Sequence, residues 1–208
     1  MRATLTLFLL LGMVCATVPV TAQHAATNTA VVSAPKLEND FYDWYQRHEQ
    51  IESLIKQQPV DLVFIGDSIT HLFGGLPVSP NPRGQATWDR FYGQRKVVNL
   101  GFGWDRTQNV LWRLENGEFT GLQPKVVVLL IGTNNLTGTP NARENTPAEI
   151  AEGIAAICNV IHAKAPACKI LLVSVLPRSP ASFVAPIREV NRKIRQLEAS
   201  GYVTFLDL

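Results

Sequence analysis

The stretch Val60-Asp61-Leu62-Val63-Phe64-Ile65-Gly66-Asp67-Ser68-Ile69-Thr70 decides the fold. Its apolar front, Val60 to Ile65, is short and lacks strict polar alternation, which is how a strand buried on both faces reads. It stops at a glycine and passes at once into polar residues that open a helix. Four further runs repeat the pattern: Lys96 to Leu100, Lys125 to Ile131, Lys169 to Val175 and Val203 to Leu208. Helical segments separate them, one after Ser68 and others near Thr87 to Tyr92, Thr107 to Asn116, Pro147 to Lys164 and Val184 to Ala199.

The Pro147 helix has the plainest start. Thr146 with Glu149 three residues on is a capping-box pattern, and Pro147 takes the first helical position, where its missing N–H costs nothing. In the last helix Ile187, Val190, Ile194 and Leu197 mark a buried stripe, and the charges around it read as a solvated face. Ahead of the first strand, Phe41, Trp44, His48, Ile51 and Leu54 recur every three or four residues, predicting an amphipathic helix over Asn39 to Gln57. Strands alternating with helices predict a three-layer α/β/α domain around a parallel five-stranded sheet, flavodoxin-like in its order 2-1-3-4-5, with right-handed crossovers. In such sheets a ligand lies at the carboxyl ends of the strands, at the switch point between the first and third.

Composition bounds the partners. The 208 residues are 46% hydrophobic and 17% charged, and nineteen Lys and Arg against seventeen Asp and Glu leave a formal +2 that no segment concentrates. Nucleic acid and anionic membrane surfaces are therefore not expected as partners. At the N-terminus Arg2 precedes an uncharged stretch whose strongly apolar part, Leu5 to Val14, is shorter than the ~20 residues of a membrane span. With Val20-Thr21-Ala22 after it, the pattern predicts a signal peptide over residues 1–22, cleaved near Ala22, and hence a secreted or periplasmic chain with no stable membrane anchor. Residues 23–36 carry no period and are expected to form a flexible leader. Export would put Cys158 and Cys168 in an oxidising compartment, where a disulfide and two buried free thiols are both open readings. Zinc-ligand spacing is lacking, so neither a metal nor another cofactor is expected.

Three loops carry the chemistry: Gly66-Asp67-Ser68-Ile69-Thr70 after strand one, Asn99-Leu100-Gly101-Phe102-Gly103-Trp104-Asp105 after strand two, and Gly132-Thr133-Asn134-Asn135 after strand three. Strands two and three flank strand one in the expected order, so these loops converge on Ser68. A serine at a strand-to-helix turn presents its Oγ beside unsatisfied helix N–H groups, as a nucleophile next to an anion-stabilising site requires. Taken singly, Ser68 reads as a helix cap, and Gly101 to Gly103 and Asn134 as turn residues. Their joint placement points to catalysis.

With these blocks the chain resembles the SGNH, or GDSL, hydrolase family, and within it the branch that includes the platelet-activating-factor acetylhydrolase catalytic subunits. The resemblance runs from about Asp40 to Leu208 and extends to Val110-Leu111-Trp112-Arg113-Leu114 and Leu176-Pro177-Arg178. It implies one hydrolase domain over residues 37–208, an ester hydrolase with a Ser-His-Asp triad, and a small-molecule ester as substrate, with short acyl groups such as acetyl removed from carbohydrate or lipid. It implies Ser68 as nucleophile, and an oxyanion hole from the N–H of Ser68, a second-loop N–H and the Asn134 side chain. The family has Gly immediately before the second-block Asp, where this chain has Trp104 after Gly103, so both Gly103 and Trp104 stay open as donors. Asn135 stands where many members have Asp, which bears on an orienting contact only.

The family's Asp-x-x-His block has no counterpart before Leu208, so the resemblance implies a domain truncated at its C-terminus, lacking the catalytic Asp and His and inactive in this form. His24 belongs to the leader, His48 precedes strand one and His162 ends a helix leading to the opposite sheet edge. His71 lies near Ser68 in sequence but has no evident carboxylate partner. Two readings compete with catalysis: a non-catalytic sugar- or lipid-binding relative using the same crevice, and a dinucleotide site on Gly101-Phe102-Gly103. The second lacks the third glycine of that fingerprint.

Overall fold

The computed structural model describes residues 27–208. The expected signal peptide, its cleavage point at Ala22 and residues 23–26 lie outside them. Five parallel strands, β1 (Leu62–Gly66), β2 (Val97–Gly101), β3 (Val126–Leu130), β4 (Lys169–Val173) and β5 (Val203–Leu206), form one sheet in the order β2-β1-β3-β4-β5. The fold is thus the α/β/α arrangement that the runs predict. The ladder aligns Gly66 with both Gly101 and Leu130, so the strand ends carrying the three loops finish level.

Four long helices cover one face: α1 (Trp44–Gln57), α4 (Thr107–Glu115), α5 (Pro147–Lys164) and α6 (Val184–Ile194). Their apolar stripes, with Ile51 and Ile55, Val110 and Leu114, Ile154 and Ile161, and Ile187 and Val190, pack on Val63, Ile65, Val127, Leu129, Ile170 and Leu172 in one core. The opposite face is covered differently. Two short helices, α2 (Ser68–His71) and α3 (Gln85–Phe91), lie there, and Phe73, Trp88 and Tyr92 pack on Phe64. Over β3 and β4 that face stays half-open: Val126, Val128, Leu130 and Leu171 are only partly buried, while their neighbours facing the long helices are fully so.

α5 starts as its capping box predicts, with Thr146 Oγ1 accepting from the Glu149 N–H at 3.3 Å and the Thr146 N–H donating to Glu149 Oε2 at 2.8 Å. α1 starts later than its period suggests, because Asp43 caps it through the Tyr45 and Gln46 N–H groups. Phe41 falls outside the helix and lies against the His71 ring, with centroids 5.8 Å apart.

The leader expected to run loose to Lys36 is bound to the domain from Asn28 onward. Asn28 Nδ2 donates to Glu152 at 2.7 Å, the buried Ala30 carbonyl accepts from Thr107 Oγ1 at 2.8 Å, and Asn109 Nδ2 donates to the Pro35 carbonyl at 2.7 Å. These bonds are mostly to backbone carbonyls, which carry no mark in the sequence. Cys158 and Cys168 are both free and buried, and burial pushes their thiols up to about 12 and about 11. No helix among the described residues is long and apolar enough to cross a membrane.

Candidate active site

Two glycines let α2 sit directly on the strand ends. A Cβ on Gly66 would lie 2.2 Å from Thr70 Oγ1 and 2.4 Å from the Leu130 carbonyl oxygen, and one on Gly101 would lie 2.3 Å from the His71 amide nitrogen. The Phe102 N–H donates to the Gly66 carbonyl at 3.0 Å and ties the second loop to the first. Asn99 ties β2 to the α2 region, its Nδ2 donating to the Thr70 and Gly74 carbonyls at 2.7 and 2.6 Å.

Asp67 caps α2 by accepting from the Ile69 N–H at 2.9 Å. That choice leaves the Ser68 N–H without an acceptor, and Ser68 Oγ likewise makes no hydrogen bond among the described residues. Ser68 is half-buried at the rim of a cavity of about 450 Å³, lined also by Ile69, Leu72, Phe73, Arg83 and Gly84. Burial pushes the Asp67 carboxyl up to about 7.

The second loop separates the two residues that sequence leaves open as donors. The Gly103 N–H donates to His71 Nδ1 at 3.2 Å, and the Gly103 carbonyl accepts from the Tyr42 hydroxyl at 3.2 Å. Trp104 takes φ 64°, a left-handed conformation a non-glycine residue rarely adopts, and its N–H has no acceptor among the described residues. The residue is 42% exposed. The Asp105 N–H closes the turn on the Phe102 carbonyl at 3.3 Å.

In the third loop Asn134 Nδ2 donates to the Asp105 carbonyl at 2.9 Å, which fixes the plane of its amide and leaves its other N–H free. Asn135 takes the orienting place. Its Oδ1 accepts from the Thr107 N–H at 3.0 Å and its Nδ2 donates to Thr107, Gln108 and Asn145. An amide serves here because the neighbours include acceptors as well as a donor. Arg178, from the loop after β4, donates to the Thr133 carbonyl at 3.1 Å and to Thr137 Oγ1 at 2.7 Å, and lies over the Phe183 ring.

Behind these loops lies a buried ionic cluster that a reading of isolated charges as solvated faces passes over. Arg113 donates to Asp105 at 2.8 Å and to Glu118, which also holds His48 Nδ1 at 2.8 Å, while Trp44 Nε1 donates to Asp105 at 2.8 Å. Burial alone would lower the Arg113 pKa, but the two carboxylates outweigh it and raise the value. Arg47 donates to the Gly101, Asn99 and Pro77 carbonyls. A signal was present in Val110 to Leu114, where an arginine interrupts an apolar run.

No histidine among the described residues is set up as a base for Ser68. His71 is buried, its Nδ1 is taken by the Gly103 N–H, and burial with Arg47 and Arg113 nearby lowers its pKa to about 3. Its Nε2 has no partner and the ring lies edge-on to Tyr42, centroids 4.5 Å apart. His48 is bound to Glu118, and His162 stacks on Tyr202 at 3.9 Å. His24 lies outside the described residues.

A parallel α/β sheet with its serine turn, bent second loop and asparagine pair at one edge defines the class, and comparison with known proteins supplies the family. The chain belongs to the GDSL-like lipase/acylhydrolase family, whose model matches residues 64–208. It is 34% identical over 154 residues to platelet-activating factor acetylhydrolase IB subunit alpha2 of Homo sapiens, covering 74% of this chain and 59% of that protein. Subunit alpha1 of Homo sapiens is 32% identical over the same length. This chain thus spans about three-fifths of the length of the curated relatives it matches. Among solved structures, a carbohydrate esterase family 2 enzyme with a carbohydrate binding domain from Corynascus thermopiles (Myceliophthora fergusii) aligns with a TM-score of 0.54 at 14% identity, covering 72% of this chain and 56% of that one. AlinE4, an SGNH-hydrolase family esterase, aligns at 0.52 and 21%, covering 72% and 76%. These two likenesses carry the fold.

Proposed function

We propose that the protein hydrolyses small esters of short acyl groups, acetyl first among them, through an acyl-enzyme on Ser68. One observation carries this: at one sheet edge Ser68 Oγ and N–H, the Trp104 N–H and one Asn134 N–H all lack a partner among the described residues. Free donors gathered beside a free hydroxyl at the carboxyl ends of the strands mark a place where a ligand can supply the acceptor. Ser68 attacks the ester carbonyl, the C–O π electrons move onto the carbonyl oxygen, and the three N–H groups receive that oxyanion. Trp104 is the second-loop donor in this reading, because the Gly103 N–H is committed to His71.

The proton from Ser68 needs an acceptor that His48, His71 and His162 do not offer. Following the family resemblance, we assign that role to an Asp-x-x-His segment carried on chain past Leu208. Relatives described as an acetylhydrolase and a carbohydrate esterase support acetylated lipid or carbohydrate as the substrate class. Arg2, the apolar run to Val14 and Val20-Thr21-Ala22 support export. A serine-directed fluorophosphonate applied to the chain extended past Leu208 tests the reading. Label on Ser68, lost in Ser68→Ala, is expected; an unlabelled Ser68 there means a binding protein built on the same fold.

A further inference from the structure

The cavity beside Ser68 has one charged residue in its lining. Ile69, Leu72 and Phe73 give it an apolar lining, Gly84 lies beside them, and Arg83 is its cation. The backbone there is held firmly: the Arg83 N–H donates to the Leu72 carbonyl at 2.7 Å, and the Gly84 N–H reaches the same oxygen at 3.4 Å. Gly84 also lies hard against Phe73, since a Cβ on it would meet the Phe73 carbonyl oxygen at 2.5 Å and the ring at 2.6 Å. The place where the Arg83 side chain leaves the backbone is therefore fixed.

The guanidinium, by contrast, is uncommitted. Lys125, Arg143, Arg192, Lys193 and Arg195 each sit on a carboxylate, and Arg178 is spent on Thr133 and Thr137. Arg83 is exposed and its guanidinium donates to no acceptor among the described residues. An arginine fork anchored at its base and free at its head, on the edge of an apolar cavity, matches a carboxylate or phosphate presented by a ligand seated in that cavity.

We propose that Arg83 is a specificity-determining residue that selects esters whose alcohol portion carries an anionic group. This rests on Ser68 being the reacting residue: the ester carbonyl is then at the cavity rim, and the part of the substrate reaching across Leu72 and Phe73 meets Arg83. The substrate class narrows to acyl esters of acidic alcohols, carboxylate-bearing or phosphate-bearing.

Binding of amide analogues, which resist turnover, tests this on the 208-residue chain. Acetanilide, 4-acetamidobenzoate and 4-acetamidophenyl phosphate share the acetyl group and ring and differ in charge. At low ionic strength the two anions are expected to bind about fivefold tighter than acetanilide, the scale of one partly exposed charge pair. Arg83→Gln should abolish the preference, Arg83→Lys should keep most of it, and ~0.5 M salt should shrink it. Whichever anion binds tighter identifies the acidic group. Equal affinity for neutral and anionic ligands, a preference that survives Arg83→Gln, or no binding of any of the three overturns the inference. Hydrolysis of phenyl acetate by the extended chain is the separate arm: an anion preference without Ser68-dependent hydrolysis leaves Arg83 as an anion-recognition residue and defeats the esterase reading.

Discussion

At the scale of single residues the candidate site turns on Trp104. A left-handed conformation costs a non-glycine residue about 1 to 2 kcal/mol, and here Tyr42, His71 and the Asp105 turn hold it in place. The strain coincides with an N–H that has no acceptor among the described residues and with a side chain on an exposed residue. Glycine accepts φ 64° without strain, so Trp104→Gly should keep turnover of a small acetate ester within about threefold while shifting preference among larger alcohol portions, because only the ring is lost. Uniform loss of kcat across esters would give the ring a structural role instead. Asn134 is the sharper test. A missing oxyanion donor typically costs about 2.7 to 4 kcal/mol, so Asn134→Ala should lower kcat roughly 100- to 1,000-fold in the extended chain, and a loss under about threefold would remove Asn134 from the site. Both residues are visible in sequence as members of their loops. The choice between Gly103 and Trp104 is not, because it depends on where the His71 ring points.

At the scale of elements, α2 is a four-residue helix held by one carboxyl, and that carboxyl is displaced by burial to about 7. Between about pH 4 and pH 7 the folded protein keeps a proton on Asp67 that the unfolded chain has released, so Asp67 stabilises the fold least at the top of this window. His71 works in the opposite sense. Lowered to about 3, it excludes a proton that the unfolded chain takes up below about 6.5, and its contribution grows as pH rises. The wild-type profile sums these with other shifted groups, Asp105 among them, so the informative quantity is a difference. Asn keeps the cap through its own oxygen and does not titrate; the Tm of Asp67→Asn minus that of wild type should therefore climb steadily from pH 4 to pH 7.5. A flat difference would mean that Asp67 is ionised throughout. A second element test concerns the buried cluster under α4. Glu118→Ala leaves His48 without its partner and Arg113 with Asp105 alone, and should cost about 3 kcal/mol in chemical denaturation, far above the cost of removing an exposed glutamate.

Elements also show what pattern reading can and cannot reach. α5 is legible because its start is written in side chains, Thr146, Pro147 and Glu149. α1 is not legible at its start, since Phe41 continues the apolar period although the chain bends there and the helix begins only after its cap, Asp43. The last helix keeps its buried stripe, yet its α part ends at Ile194 and Arg195–Ser200 tightens into a 3₁₀ segment before Gly201 at φ 77°. Leu197 fits either winding, so spacing alone leaves the change unseen. Arg47, His48 and Arg113 defeat pattern reading for another reason: a charge beside an apolar stripe usually faces water, and only the partners brought by distant loops make burial tolerable.

At the scale of the molecule, two open features meet on one side. The sheet face over β3 and β4 leaves Val126, Val128, Leu130 and Leu171 half-open, and a cavity of about 580 Å³ lies along Asp61, Leu62, Phe64, Tyr92 and the β3 strand. At the carboxyl edge of the same sheet, Ser68 and its free donors have no base among the described residues. β5 runs parallel to its neighbours, so Leu206 emerges at that edge, and a chain continued from there can reach both features. An extension past Leu208 carrying an Asp-x-x-His and a helix should change two readouts together. Turnover of a chromogenic acetate ester should rise by several orders of magnitude, roughly the 10⁴ to 10⁶ that separates an intact triad from one lacking a member. Binding of an apolar fluorescent dye to the native protein should fall as the half-open face is covered. Replacing the new His by Ala separates the effects: turnover collapses while dye binding stays low. Ser68-dependent turnover by the 208-residue chain at the rate of the extended one would overturn this account, and His71 would then be the first residue to mutate.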